Sequence, residues 1–153
     1  MTITESKRIL VSWNGRSDLS ASHENAQADR GPVACAIATQ DFNLAVLLSD
    51  FPERETTLYV EWIRRKSPCL IEFHVVELAN PTKYDAISTI VVERIQAILA
   101  CHGLSSKLTF LLSPGTPAMA AVWIVVAKTR FDAELIEASR QRGVQPVHIA
   151  FEV

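Results

Sequence analysis

Two widely separated segments of the chain hold residue types suited to binding a small polar ligand. One is Ser12-Trp13-Asn14-Gly15-Arg16, and the other is Leu112-Ser113-Pro114-Gly115-Thr116-Pro117-Ala118-Met119. In the second, Thr116 suits a helix N-cap and Pro117 the first helical position, where a missing N–H costs nothing. The amides of Ala118, Met119 and Ala120 are then expected to face outward at the positive end of the helix dipole, an arrangement that holds phosphate or another anion. Gly115 lets a ligand approach the backbone closely. In the first segment, Trp13 offers a ring for stacking on a base, and Ser12 and Asn14 offer groups for a phosphate or a base edge. Arg16 or Arg30 could supply positive charge. Each segment also has a plain reading: a Pro-Gly turn, and an Asn-Gly turn after a core tryptophan.

Several chemistries are disfavoured by spacing. The second segment is not a nucleotide-triphosphate P-loop, which requires Gly-Lys-Ser/Thr where Pro117 stands. The first lacks the GxGxxG spacing of a dinucleotide fold, so no cofactor is expected. Ser113 has no nucleophile-elbow context and no recognisable base, and no catalytic residue is assigned. His23, His74, His102 and His148 lack metal-ligand spacing, and Cys101-His102 would diverge on a helix, so no metal is expected. Asp50-Phe51-Pro52-Glu53 reads as a capping box for a helix, the favoured reading, although an acid after a second strand also matches a ribose-binding position. Thr82 with Asp85 starts the next helix in the same manner, with Asn80 near the crevice.

Apolar runs alternate with helical stretches, the pattern of a βαβ protein with a largely parallel sheet. Strands are expected at Arg8 to Trp13, Asn43 to Ser49, Cys69 to Leu78, Lys107 to Leu112, Ala133 to Ala138 and Pro146 to Phe151. Helices are expected at Gly31 to Gln40, Arg54 to Lys66, Tyr84 to Cys101 and Thr116 to Thr129, with a long polar loop from Asn14 to Arg30. Strands one, two and four are apolar on both faces, as central strands must be. Strand three and the last strand alternate, as edge strands do. The expected fold is a Rossmann-like α/β three-layer sandwich. Its sheet is mostly parallel, in the order 3-2-1-4, with a C-terminal antiparallel hairpin. Strands one and four then meet at the switch point, beyond whose carboxyl ends ligands bind.

The 153 residues fit one domain, 1–153, with a polar N-terminal tail over 1–7. A net charge of -2 argues against broad phosphate neutralisation on duplex nucleic acid. The three scattered cysteines fit a reducing, cytoplasmic setting rather than a disulfide framework. No apolar run is long enough to cross a bilayer, and no membrane partner is expected. The stretch from Ala118 to Ala127 is apolar on every face. A small domain covers one face with its sheet, and a second copy across a two-fold axis is expected to cover the other, giving a homodimer through the 116–129 helix. The plainer alternative wedges this helix between the sheet and the first loop.

The run Ser113-Pro114-Gly115-Thr116-Pro117-Ala118-Met119-Ala120-Ala121-Val122-Trp123, continuing through Ala127-Lys128-Thr129-Arg130-Phe131, resembles the CARF (CRISPR-associated Rossmann fold) sensors. It looks closest to those preceding the ATPase in sigma-54-dependent transcription activators, including RNA-repair operon regulators. Val11-Ser12-Trp13-Asn14-Gly15 sits where that family has its first ligand loop. The resemblance implies a dimeric domain that binds cyclic oligoadenylates or RNA ends over the paired carboxyl edges. It carries the ligand role onto Ser12, Trp13, Asn14, Ser113, Gly115, Thr116 and Met119, with Gly15 and Pro114 between them. Many relatives have a lysine or arginine where this chain has Pro117, so one expected cation is missing.

These readings favour a regulatory sensor, not an enzyme, binding a nucleotide-like ligand or short RNA. Its downstream ATPase and DNA-binding modules would lie outside this chain. The rivals are a ring nuclease, which positions a ribose 2′-hydroxyl in line with its phosphate and needs few side chains, and a ligand-free dimerisation module.

Overall fold

The computed structural model describes residues 6–24, 31–139 and 141–150. Six strands form one sheet: β1 (Arg8–Trp13), β2 (Leu44–Ser49), β3 (Leu70–Val75), β4 (Lys107–Leu111), β5 (Ala133–Ser139) and β6 (Gly143–Pro146). Their order is β3-β2-β1-β4-β5-β6, parallel throughout except for the antiparallel β5–β6 pair. The expected Rossmann-like order and switch point are therefore present. Among the described residues no helix is long and apolar enough to cross a membrane.

Alternation along the central strands divides the interior into two cores. Ile9, Val11 and Trp13 of β1, with Leu44, Val46 and Leu48 of β2, face α4 (Tyr84–His102) and α5 (Pro117–Thr129). Leu10, Ala45 and Leu47 face α1 (Arg16–Glu24), α2 (Gly31–Thr39) and α3 (Glu53–Lys66). Every residue of β2 is buried, as a strand covered on both faces must be. In the first core, Phe110 of β4 stacks on Trp123 of α5 with ring centroids 4.6 Å apart. Such a pair contributes about 0.5–1.5 kcal/mol beyond burial. It ties the strand to the helix on either side of the 112–116 turn.

Several boundaries differ from expectation. The segment read as a loop from Asn14 contains α1. Its sequence is polar, and only Leu19 and Ala21 among its apolar residues are buried, too few to give a helical stripe. Arg30 and Phe151, like the first five residues of the tail, lie outside the described residues. Strand β3 ends at Val75 rather than Leu78. The last strand is β6, earlier than Pro146 to Phe151. Val147 and Ile149 follow it without strand structure, yet pack against the α4/α5 core.

Two expected caps are absent. Helix α3 has Pro52 at its N-cap with no side-chain bond, so Asp50 caps nothing. Pro52 fixes its own φ at -55 and presets the turn, displacing the acid from the capping position. Helix α4 starts after Lys83, and Thr82 instead donates its hydroxyl to Asn80 Oδ1 at 2.6 Å.

Candidate functional site

At the carboxyl end of β1 the backbone continues into the sheet ladder, with Asn14 N donating to Leu48 O at 2.8 Å. It then turns sharply into α1. Gly15 O accepts from Asp18 N at 3.1 Å and from Leu19 N at 3.3 Å, while Gly15 N donates to Asp18 Oδ2 at 2.9 Å. The other carboxylate oxygen of Asp18 accepts from Val33 N of α2 at 3.0 Å. This fully buried acid thus joins the end of β1 to both following helices. In the sequence Asp18 stands just beyond the Ser12–Arg16 segment, and an acid three positions after a turn glycine has the capping-box spacing that signals this role.

The β4 turn lies directly against this loop. A Cβ on Gly15 would come 3.0 Å from Gly115 N and 3.3 Å from Pro114 Cα. The two ligand-type segments therefore meet at the switch point by backbone contact. Gly115 takes φ +92, a conformation that favours glycine.

Thr116 caps α5 as its sequence suggests, and its hydroxyl is doubly used. It accepts from Met119 N at 3.2 Å and donates to Pro81 O at 2.8 Å, in the loop that precedes α4. Thr116 N contacts Met119 Sδ at 3.4 Å, closing a reciprocal cap with a thioether in place of the usual glutamate. Ala120 N bonds Thr116 O. Of the three amides expected to face outward, two are thus engaged, and only that of Ala118 lacks a bond among the described residues.

The remaining residues of the two segments differ in accessibility. Trp13 is fully buried in the α4/α5 core, so no ring face is open for stacking in this state. Met119 is also buried. Ser12 is buried, with its hydroxyl bonded to Trp13 O at 2.9 Å. Ser113 is exposed, and its Oγ accepts from Ala138 N of β5 at 2.7 Å. Pro114 is buried and Gly115 exposed. Asn14 is only 1% exposed, yet neither its Oδ1 nor its Nδ2 has a hydrogen-bond partner among the described residues. A buried amide left unpaired costs free energy. Arg16 stands 5.2 Å over the Phe51 ring, at the ends of β1 and β2.

The apolar helix α5 buries Ala118, Met119, Val122, Trp123 and Val126 against the sheet and α4. Its outer side leaves Val125 58% exposed, beside Tyr84 at 60%. Between them α4 and α5 form a shallow apolar depression of about 350 Å³, lined by Tyr84, Ser88, Ala121 and Val125 among others. Helix α1, the described part of the first loop segment, packs on the opposite face of the sheet from α5.

This architecture, a 3-2-1-4-5-6 sheet with a switch point between β1 and β4, is a Rossmann-like α/β fold. Among solved structures with the same fold is Csm6 of Enterococcus italicus bound to cyclic hexa-2′-fluoro-hexa-dAMP. It aligns with a TM-score of 0.78 and 14% identity over 95% of this chain and 43% of its own. Can2 of Sulfobacillus thermosulfidooxidans, in complex with cyclic tetra-adenylate, aligns with a TM-score of 0.59 and 15% identity over 86% of this chain and 32% of its own. A Vibrio cholerae protein aligns at 0.65 and 11% identity, over 92% and 33% respectively. This chain therefore spans less than half the length of each. No protein-family profile matches the sequence, and no curated protein matches it.

Proposed function

We propose that this chain is a ligand-sensing domain that binds a cyclic oligoadenylate, or a related RNA end, over the carboxyl edge of its sheet. The reading rests chiefly on the contact of the Asn14-Gly15 and Pro114-Gly115 turns in a fold whose solved examples include two bound to cyclic adenylates. In this proposal Asn14 supplies the unpaired amide and Ser113 and Gly115 supply exposed surface. Ser12, Trp13, Gly15, Pro114, Thr116 and Met119 shape the turns from beneath. The outer side of α5, with Val125 exposed and Ala121 half-buried, meets its counterpart in a second copy and brings two crevices together. Ligand preference for one orientation of the pair would then bias an attached effector, of which a sigma-54-type activator is the version the sequence favours.

Thermal unfolding with cyclic tetra-adenylate and cyclic hexa-adenylate tests this reading. A native-state ligand at one hundred times its dissociation constant stabilises by about 2.7 kcal/mol, a rise of several degrees. An unchanged melting temperature with both rings and with RNA ending in a 2′,3′-cyclic phosphate would sink it. Linear adenylates accumulating at turnover would convert the sensor into a ring nuclease.

A further inference from the structure

The turns that head α4 and α5 are joined through Thr116, whose hydroxyl donates to Pro81 O at 2.8 Å. Pro81 belongs to a tight turn, Asn80-Pro81-Thr82-Lys83, closed by Lys83 N donating to Asn80 O at 3.2 Å. Asn80 Oδ1 stiffens it, accepting from Thr82 N at 3.0 Å and from the Thr82 hydroxyl at 2.6 Å. Lys83 is then the N-cap residue of α4, and its carbonyl accepts from Ile87 N at 3.1 Å. The backbone of Lys83 is therefore fixed beside the α5 turn. Two residues span at most about 7 Å, so the four-carbon stem of a lysine at 83 reaches the surroundings of Thr116.

A phosphate at this turn needs more than the helix end supplies. The amides of Met119 and Ala120 are bonded to Thr116, which leaves that of Ala118 at the start of α5. One N–H at the positive end of a helix dipole contributes little against the repeated charges of a phosphodiester ring. Over the segments 76–83 and 112–117, Lys83 is the one basic residue. It is exposed, and it forms no ion pair and no side-chain hydrogen bond among the described residues, although Asp85 follows in the first turn of α4. Arg16 lies over the Phe51 ring at the ends of β1 and β2, and Lys128 donates to Ile149 O at the far end of α5.

We propose that Lys83 is a ligand-binding residue of the crevice, its ammonium pairing with a non-bridging oxygen of a phosphodiester in the bound ring, on the α4 side of the 113–116 turn. This rests on the nucleotide reading above and adds where the charged backbone of the ring lies. A lysine suits that role as a point charge, which attracts a phosphate oxygen without demanding a two-pronged geometry.

The test is Lys83→Met in the whole chain, with affinity for cyclic tetra-adenylate and cyclic hexa-adenylate measured across salt from about 50 to about 200 mM. At the lowest salt the variant is expected to bind about tenfold more weakly. Its plot of log affinity against log salt should be shallower by about 0.7, the share of one phosphate contact on a single strand. Lys83→Arg keeps the charge and should restore both. Lys107→Met removes a charge at the start of β4, the opposite end of the sheet, and should leave the slope unaltered. An unchanged slope in Lys83→Met, or an equal loss of slope in Lys107→Met, would overturn the assignment. Wild-type protein that binds neither ring would overturn the nucleotide reading itself, and this assignment with it.

Discussion

Gly15 and Gly115 approach so closely that a methyl group on Gly15 would stand 3.0 Å from the Gly115 nitrogen. The obstacle is backbone rather than a mobile side chain. Space, not torsion, therefore demands glycine here, since Gly15 is not among the glycines at positive φ. Gly15→Ala is expected to destabilise by about 1–3 kcal/mol, the usual cost of overpacking. Urea unfolding at constant m would measure it. A neutral result would mean that the two turns separate freely.

Thr116 is expected to matter for folding as well as binding, because its hydroxyl serves Met119 N and Pro81 O together. Thr116→Val keeps the shape and should cost about 1–2 kcal/mol. Thr116→Ser keeps the hydroxyl and should recover most of that loss. Equal stability of the two variants in denaturant would contradict the shared-hydroxyl account.

His74 gives the fold a pH dependence of defined sign. Burial lowers its pKa below 6.5, Arg94 lowers it further, and Glu72 partly opposes them. The folded state therefore takes up this proton less readily than the unfolded chain. Stability from this group is complete above 6.5 and declines as pH falls through the folded value. Unfolding free energies measured at neutral pH and near pH 5 (about one and a half units below the free imidazole) should differ less in His74→Gln than in wild type. An identical difference in both proteins would remove His74 from the account.

The outer side of α5 offers a test of assembly. Val125 is 58% exposed and contributes little to the subunit's own core, so Val125→Asp should leave helical content unchanged. It should convert a dimer to a monomer in native mass spectrometry, since burying an unpaired charge at an apolar contact costs several kcal/mol, roughly 3–5 by analogy with broken buried pairs. A wild type that is already monomeric, or a variant that stays dimeric, would place any interface elsewhere.

Strand order was legible because it depends on which faces are covered. Leu44 to Leu48 form an unbroken apolar run and proved central, whereas Glu72 and His74 alternate with Ile71 and Phe73 and mark an edge. The Thr116 cap was also legible, being local in sequence. What escaped was tertiary. Nothing near Thr116 announces that its hydroxyl reaches Pro81, 35 positions away. Helix α1 escaped because a buried acid, Asp18, does work that periodicity assigns to apolar side chains. Asp50 was mistaken for a cap because its spacing fits one, and only the observed start of α3 frees it.

The bond from Thr116 to Pro81 spans two loops that head the two helices of one face. Residue 116 begins α5, and residue 81 stands three positions before α4 begins. A ligand that shifts the 113–116 turn must therefore either break this bond or drag the head of α4 along. Tyr84 opens α4 and Val125 lies on α5, so this one bond joins the starts of the two helices that carry the outward apolar surface.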